Sequence, residues 1–317
     1  MHFLKNKKIT KIKGDASFRS FYRSKKSIIV YCKKDKYKNL LVYDSINKLF
    51  QKNKINAPKL INQKYKKNYI EIEDLGNNSV YHLIKKRKNK ILIFKEVIKI
   101  LLKLQNIRKF SITNFKKQSY KVPFYKKKLL LEESKLFIDW FLPYNFNKIS
   151  FKEKKNFKKI IQDLINKLKL PNNTLVHRDF HISNMMFKKN KIYLIDSQDA
   201  VIGNITYDLA SLIDDVRYKT SYKVKNKILK YYLKKKTNKI NIQSFKNDFY
   251  ILSVLRNLKI LGIFTRLAIR DKKKYYLKMI PYCWKLIEDR INKNDILFDK
   301  LKAILNQKKF KKFIKVR

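Results

Sequence analysis

The chain has 317 residues, of which 44% are hydrophobic, so it can bury a substantial core in one large domain or two lobes. Its 79 Lys and Arg against 24 Asp and Glu give a formal charge of +55, which ordinarily suggests a nucleic-acid or anionic-membrane partner. However, 11 of those 79 are Arg and the Lys excess runs along the whole chain, which favours compositional bias at tolerant surface positions and disfavours a nucleic-acid partner.

The first part of the chain is predicted to form a small sheet with one helix. Runs rich in β-branched and aromatic residues predict strands at 18–23, 27–32 and 69–74, and a helical pattern covers 40–53. After Gly76 the pattern changes to long helical repeats, so this glycine is the best candidate for a hinge between a β lobe and a helical lobe. Apolar residues at helical spacing predict helices in the stretches 92–104, 157–170 and 252–267.

Residues 177–184 read H-R-D-F-H-I-S-N, the H-R-D-x-x-x-x-N form of a kinase catalytic loop. A predicted β-hairpin over 185–195 follows and leads directly to Asp196. In phosphoryl transfer, Asp179 would orient the attacking hydroxyl, while Asn184 and Asp196 would bind magnesium on the ATP phosphates. The sequence therefore predicts a kinase that uses ATP and Mg²⁺.

Three further residues are candidates for ATP binding. The turn at 14–19 precedes the first strand, where its backbone N–H groups and the Ser17 hydroxyl could contact phosphate, although it lacks the G-x-G-x-x-G pattern of protein kinases. The second strand has no lysine of the kind that faces the α and β phosphates in protein kinases, so Lys33 at its end is the candidate. Glu73 belongs to segment 71–76, where a kinase would present backbone groups to adenine; an ordinary strand end followed by a turn explains that segment equally well.

Several segments resemble one known superfamily. They are Gly-Asp-Ala-Ser-Phe-Arg at 14–19, Glu-Asp-Leu-Gly at 73–76, and the segments 136–142, 196–201, 203–210 and 256–266. With the catalytic loop, they are similar to the aminoglycoside phosphotransferase and choline kinase superfamily, most of all to its bacterial anomeric amino-sugar kinases. That branch converts N-acetylmuramate and N-acetylglucosamine to their 1-phosphates during cell-wall recycling. One departure is Ser197, where the family more often has an aromatic residue, which puts the packing of that turn in question.

The resemblance implies an α+β, two-lobed protein-kinase-like fold. A nucleotide-binding β lobe would span residues 1–76, and a helical lobe over 77–317 would carry the catalytic and substrate residues. ATP and Mg²⁺ would be the cofactors, and a small-molecule sugar would be the substrate.

Charge bears on which substrate the expected kinase would take. A cationic antibiotic or choline calls for carboxylates or aromatic cages, and this chain has few acidic residues beyond the catalytic ones. Muramate carries a lactyl carboxylate that Arg256 or Arg266 could pair with, and Glu133 is a candidate for a sugar hydroxyl. Solvated helix residues in a lysine-rich chain explain the two arginines equally well.

Other function classes stay open. An aminoglycoside- or choline-type kinase shares the same motifs, whereas a protein kinase is disfavoured by the absence of a Gly-rich loop and of an A-P-E segment. A degenerate kinase acting as a scaffold would be expected to lose the metal ligands, which this chain retains. A nucleic-acid-binding protein would lose affinity steeply with added salt.

Cysteine usage and hydropathy bear on the compartment. Cys32 and Cys283 lie far apart without C-x-x-C spacing, so we expect neither a zinc site nor a disulfide framework. Residues 1–14 are basic without an apolar core, and the apolar stretch 251–269 contains internal charges. We therefore expect a cytoplasmic protein with no membrane insertion.

Overall fold

The computed structural model describes residues 9–12, 19–25, 27–146, 148–236, 240–307 and 310. The chain divides into two compact units, the first formed by 1–123 with 174–202 and the second by 124–173 with 203–317. The first unit thus continues past Gly76 and is completed by the segment that contains the predicted catalytic loop. The predicted lobe boundary at residue 76 stays a prediction.

The first unit is built on a five-stranded sheet. Its strands are β1 (Thr10–Ile12), β2 (Ser20–Arg23), β3 (Ser27–Tyr31), β4 (Leu60–Lys64) and β5 (Tyr69–Glu73). They lie in the order β1-β2-β3-β5-β4, and every neighbouring pair is antiparallel. The three predicted strands are confirmed to within two residues at each end as β2, β3 and β5.

Helix α1 (Asn39–Lys52) covers one face of this sheet. The side chains of β3 alternate, so Val30 lies in the core beneath α1 with Leu40 and Tyr43, whereas Ile29 lies in the core of the opposite face. The apolar residues of this helix, among them Leu40, Tyr43, Ile46 and Phe50, are buried, and their spacing explains why the pattern over 40–53 predicted the helix.

Two helices and three two-stranded sheets follow the five-stranded sheet. The elements are α2 (Val80–Lys86), α3 (Lys90–Gln105), β6 (Ser111–Thr113), β7 (Ser119–Lys121), β8 (Asn172–Val176), β9 (Met185–Lys188), β10 (Lys191–Leu194) and β11 (Val201–Asn204). Strands β6 and β7 pair as a hairpin, and β8 pairs with β11. Strands β9 and β10 form the predicted antiparallel hairpin, joined by Lys189 and Asn190 at φ 47° and 57°. Two successive residues with positive φ are typical of the tight hairpin turns whose twist matches that of the strands.

The second unit is helical. Its helices are α4 (Lys127–Ser134), α5 (Leu142–Asn145), α6 (Phe151–Asn166), α7 (Tyr207–Ile213), α8 (Tyr222–Lys235), α9 (Ile242–Arg270), α10 (Ile280–Ile291) and α11 (Asp299–Leu305), with a π-helical turn at Phe137–Phe141. Helix α9 has 29 residues and is buried around most of its circumference, as expected of a central core helix. Beside it, the ring of Phe141 lies 5.1 Å from that of Phe137 and 5.6 Å from that of Trp284.

Both cysteines, Cys32 and Cys283, are buried free thiols, which agrees with the expectation of no disulfide. Burial raises the pKa of Cys32 to about 11, and the nearby Arg19 guanidinium only partly counteracts it, so this thiol is unreactive at neutral pH. None of the helices in the described ranges has the length and apolar character needed to cross a bilayer.

Candidate active site

The catalytic loop follows β8 and closes on itself through the carbonyl of Asp179. That oxygen accepts hydrogen bonds from the backbone N–H of His181 at 3.0 Å and from the side-chain amide Nδ2 of Asn184 at 3.1 Å. Arg178, just before Asp179, has a φ of 74°, a conformation uncommon for residues with a side chain. The loop therefore fixes the backbone that carries the Asp179 carboxylate.

Asp196 is brought to the same place by the hairpin. The backbone N–H of Ile195 donates to the carbonyl of Asn184 at 3.0 Å. This hydrogen bond places Asp196, the next residue, close to Asn184, the other predicted metal ligand. Asp196 itself has a φ of 63°. The structure thus unites the three residues that the motif predicted, Asp179, Asn184 and Asp196, in the first unit.

His177 links the catalytic loop to the end of the hairpin. Its ring is fully buried, and Nε2 lies 3.0 Å from the carbonyl oxygen of Ile195. Burial lowers the pKa of His177, and the nearby carboxylates of Asp179 and Asp196 only partly oppose that shift. The ring is therefore neutral at pH 7, and because a carbonyl oxygen can only accept, its proton lies on Nε2. His177 braces the loop.

The two predicted metal ligands each keep acceptor capacity for a metal ion. Asp196 accepts on Oδ1, from Arg19 Nη2 at 2.6 Å and from Gln198 Nε2 at 3.3 Å. Asn184 uses Nδ2 as a donor, which leaves its Oδ1 as an acceptor. Amide and carboxylate oxygens are the hard ligands that Mg²⁺ prefers, and in phosphoryl-transfer sites the substrate phosphates complete its shell. The described residues contain no group of three or more His, Cys, Asp or Glu that could hold a metal ion.

The turn after Asp196 is held by polar contacts. The Ser197 hydroxyl is buried and donates to Asn47 Oδ1 on α1 at 2.6 Å. Gln198 Nε2 donates to the Asp199 carboxylate at 2.7 Å, and Arg178 Nη1 donates to the Asp199 carbonyl at 3.3 Å. These contacts explain how a serine occupies the position after Asp196: it is tied to the helix by a hydrogen bond and does not need the packing of an aromatic ring.

The segment after β5 is fixed by two cations. Lys188, at the end of β9, pairs with the Glu73 carboxylate at 2.8 Å and donates to the carbonyl of Asp74 at 2.8 Å. Arg23, at the end of β2, pairs with the Asp74 carboxylate at 2.7 Å and donates to the carbonyl of Gly76 at 3.0 Å. The side chain of Glu73 therefore has a structural partner, and any adenine contact here would come from the backbone.

Leu75 is the residue of this segment whose backbone stays available. Its side chain is buried, yet among the described residues none bonds to its N–H or C=O. One donor and one acceptor on the backbone of a single buried residue could pair with the edge of an adenine ring.

The other two candidates for ATP binding are less informative. Ser17 lies outside the described residues. Lys33 is exposed and comes two residues after the end of β3, before a short 3-10 helix at Lys34–Lys36. Its contribution to ATP binding stays a prediction.

In the second unit, Glu133 belongs to a buried polar cluster. Its carboxylate accepts a short hydrogen bond from Tyr125 and pairs with Lys259 Nζ of α9 at 3.0 Å. The Tyr125 hydroxyl also lies 3.3 Å from that of Tyr207. Both side chains of the Glu133–Lys259 pair are only 12% exposed, so the pair lies in a site with little water.

The two predicted substrate arginines on α9 differ in their surroundings. Arg256 is buried, with Nη1 3.5 Å from the carbonyl of Asp214, beside the carboxylate of Asp215. Arg266 is half-buried, and its Nε has no hydrogen-bond partner among the described residues. Burial lowers the pKa of Arg266, and the neighbouring Arg270 adds to that shift. Arg256 thus has protein partners, whereas the Arg266 Nε is a buried donor with no hydrogen-bond partner among the described residues.

Sequence reasoning gave no role to Arg19, Gln198 or Lys188, although all three contact predicted site residues. A signal was present for the first: Arg19 ends the Gly-Asp-Ala-Ser-Phe-Arg segment and is an arginine in a chain where most cations are lysine. The other two have no signal in the sequence, because Lys188 meets Glu73 only through the fold.

Comparison with known proteins agrees with this geometry. Residues 8–236 match the sequence model of the phosphotransferase enzyme family. The chain is 26% identical over 283 residues to an N-acetylmuramate/N-acetylglucosamine kinase of Neisseria meningitidis serogroup B, covering 84% of this chain and 81% of that protein. It is 25% identical over 295 residues to the protein of the same name from Pseudomonas putida, covering 90% and 84%.

Among solved structures, that of the ADP-bound aminoglycoside phosphotransferase APH(2'')-Ib superimposes with a TM-score of 0.62 at 16% identity. The match covers 91% of this chain and 96% of that one. The predicted α+β fold of the aminoglycoside phosphotransferases is confirmed.

Proposed function

This chain belongs to the phosphotransferase enzyme family, and from that premise we propose that it transfers the γ-phosphoryl group of ATP to the anomeric hydroxyl of N-acetylmuramate or N-acetylglucosamine. The enzyme class, an ATP-dependent phosphotransferase, follows from the family. The choice of sugar rests on the similarity to bacterial proteins named for these two substrates, which extends over most of both chains.

Asp179 is the residue that would act on the sugar. Its backbone is fixed by the hydrogen bonds from His181 and Asn184, so its carboxylate is held in position to accept a hydrogen bond from the attacking hydroxyl. Alignment of the nucleophile with the phosphorus is the main contribution that phosphoryl transfer asks of such a residue.

The nucleotide would be held by groups that the first unit leaves available. The backbone of Leu75 would contact adenine, while Asn184 Oδ1 and Asp196 Oδ2 would bind Mg²⁺. When bound, Mg²⁺ neutralises charge on the phosphate oxygens. The ion pairs of Arg23 and Lys188 keep the adenine-binding backbone in place before the ligand arrives, which lowers the entropic cost of binding.

On the sugar side, the Glu133–Lys259 pair supplies an acceptor and a donor in a site with little exposure. A sugar presents hydroxyl groups that donate to carboxylates and accept from ammonium groups, so such a pair suits it. Arg266, a half-buried arginine whose Nε is unpaired among the described residues, is the candidate for the lactyl carboxylate that distinguishes muramate from glucosamine.

The test is phosphorus NMR of the purified protein with ATP, Mg²⁺ and one acceptor at a time. The acceptors are N-acetylmuramate, N-acetylglucosamine, choline and an aminoglycoside. We expect a sugar 1-phosphate signal with the first two, and a loss of at least about a hundredfold in its rate of appearance in Asp179→Asn. Asp35→Asn is the matched control, since Asp35 is an exposed aspartate in the short 3-10 helix.

Each outcome separates one part of the proposal. Phosphorylation of choline or the aminoglycoside in place of the sugars would replace the substrate and leave the kinase reaction. Equal rates in Asp179→Asn and the unmodified protein would refute the role of Asp179. For muramate, Arg266→Ala should raise KM with N-acetylmuramate and leave KM with N-acetylglucosamine unchanged; an equal change for both sugars would refute the carboxylate contact.

A further inference from the structure

Strand β3, all of whose residues the structure describes, carries no cation where protein kinases have their phosphate-binding lysine. In those enzymes the lysine projects from the third strand and reaches the α and β phosphates. Here β3 reads Ser-Ile-Ile-Val-Tyr, and its inward residues Ile28 and Val30 belong to the apolar core beneath α1. An ATP-dependent enzyme with this strand needs another source of positive charge.

Arg19 comes from the neighbouring strand and occupies the sheet face that the lysine would use. It precedes β2, and β2 pairs with β3 in a register that places Ser20 opposite Tyr31. Its guanidinium carbon lies 5.4 Å from the ring centre of Tyr43 on α1 and 5.7 Å from that of Phe21. Arg19 therefore lies on the α1 side of the sheet, like the inward residues of β3.

The Arg19 guanidinium contacts the carboxylate of Asp196, the predicted metal ligand. Nη2 lies 2.6 Å from Asp196 Oδ1, and Nη1 donates a short hydrogen bond to Gln198 Oε1. The Arg19 side chain is 2% exposed, whereas that of Asp196 is 38% exposed. A buried arginine charge thus lies at the inner side of an open carboxylate, next to the place where the nucleotide phosphates would meet the metal.

We infer that Arg19 is the phosphate-contacting cation of this enzyme, delivered from the start of β2 in place of a lysine on β3. The inference rests on the proposed use of ATP. A guanidinium suits the task because its planar fork of five N–H donors can bond a carboxylate and a phosphate oxygen at once. The ion pair with Asp196 and the rings of Tyr43 and Phe21 hold the charge at this position in advance.

The test measures binding and not turnover. Titration calorimetry with ADP and with adenosine, each in Mg²⁺ and in EDTA, is run on the unmodified protein and on Arg19→Gln. We expect Arg19→Gln to weaken the affinity for ADP by about tenfold to a hundredfold in both media, as for loss of a hydrogen bond to a charged group. The affinity for adenosine should stay within about threefold. Arg108→Gln, the same exchange at an exposed arginine whose Nη1 bonds to Gln105 O at 3.0 Å, is the matched control.

The two media distinguish a phosphate contact from a bracing role. If Arg19 acts only by positioning Asp196 for metal, ADP binding weakens in Mg²⁺ and is unchanged in EDTA, and the inference is overturned. Equal weakening of ADP and adenosine, or no change in ADP, overturns it as well. Lys33→Gln tests the competing cation: a loss confined to this variant would move the role to Lys33.

A second measurement covers the case in which Arg19→Gln does not fold. In the unmodified protein, the side-chain Nε–H signal of Arg19 is followed by nitrogen-15 NMR, with Arg19→Lys used for its assignment. The chemical shift of this signal should change on addition of ADP and stay the same with adenosine. A chemical shift that does not change with ADP refutes the contact. If the unmodified protein binds ADP no better than adenosine, the proposed use of ATP fails, whereas a preference for ADP that survives in Arg19→Gln overturns only the role of Arg19.

Discussion

Replacing Gly262 by alanine should destabilise the protein, although the same exchange in most helices does the reverse. Gly262 lies in the interior of α9, where alanine is normally favoured over glycine by about 1 kcal/mol. Here a Cβ atom would lie 2.2 Å from the carbonyl carbon of Leu136, 2.3 Å from its oxygen and 2.6 Å from its Cβ. Carbon atoms attract each other best at about 3.5–4.0 Å, so α9 and Leu136 would have to separate by roughly 1 Å.

The clash cannot be relieved by a side-chain rotation, because the two nearest atoms belong to the backbone of Leu136. Overpacking of a dense core costs about 1–3 kcal/mol, and a backbone contact this short lies at the upper end of that range. After the gain in helix propensity is subtracted, we expect a net loss of about 2 kcal/mol. With an unfolding entropy of about 2.1 cal/mol/K per residue, that corresponds to a fall in Tm of roughly 3 °C for a chain of 317 residues.

Thermal and urea unfolding of Gly262→Ala, Gly262→Ser and Gly262→Val would measure the effect, with Lys246→Ala as the control on the exposed face of the same helix. Stability should fall in order of side-chain size, while the control stays within about 0.5 kcal/mol of the unmodified protein. An unchanged or raised Tm in Gly262→Ala would refute the argument, because it would show that α9 approaches Leu136 less closely than the structure has it.

Three further predictions each concern the replacement of one residue. Gly76 has a φ of 77°, and no atom lies within 4 Å of the position that a Cβ would take, so Gly76→Ala should cost about 1–2 kcal/mol of backbone strain in urea unfolding and Gly76→Asn less. Ser197→Ala leaves the buried Asn47 Oδ1 without its donor and should cost about 1–3 kcal/mol, part of which Asn47→Leu should recover in a double-mutant cycle. Burial alone would raise the pKa of Asp214, but Arg290 and Lys225 more than offset this effect and hold the pKa well below its usual range. The ionised Asp214 therefore stabilises the fold at pH values above its unfolded pKa of about 4. This stabilisation is lost as the pH falls through the folded pKa. Urea unfolding at several pH values should therefore show Asp214→Asn less stable at pH 7, with a flatter decline below about pH 5; a decline as steep as that of the unmodified protein would assign the acid sensitivity to other groups.

The parts of the fold that the sequence predicted are those whose signal is local. Strand β3 is a short continuous run of β-branched residues, helix α1 has apolar residues at helical spacing, and the catalytic loop is contiguous from His177 to Asn184. Where a local signal was overlooked, the boundary was wrong: α6 begins at Phe151 and not near 157, because Ser150 and Glu153 form a capping box at its start. The same helix ends at Asn166, before the predicted 170.

The rest of the site depends on contacts between distant parts of the chain. Arg19 and Asp196 are separated by 177 positions, and Glu73 and Lys188 by 115. No periodicity or spacing connects such pairs, so the sequence could indicate that β3 carries no phosphate-binding lysine but not that Arg19 would lie against Asp196. Lys33 was predicted from its position next to the strand, and its contact with phosphate stays a prediction.

Arginine and lysine are distributed differently, and this bears on the high charge. Arginines make ion pairs with the acidic residues at the first-unit site and in the core of the second unit, in the pairs Arg19–Asp196, Arg23–Asp74, Arg178–Asp199, Arg217–Asp215 and Arg290–Asp214. In the Arg290–Asp214 pair, one guanidinium donates to both carboxylate oxygens, at 2.7 and 3.0 Å, a planar fork that lysine cannot supply. Since 11 of the 79 basic residues are arginine, most of the formal charge of +55 comes from lysines, and much of it can vary without disturbing these contacts. The positions of these arginines therefore carry structural information that most lysines of the chain do not, and Arg19 contacts a predicted metal ligand, Asp196.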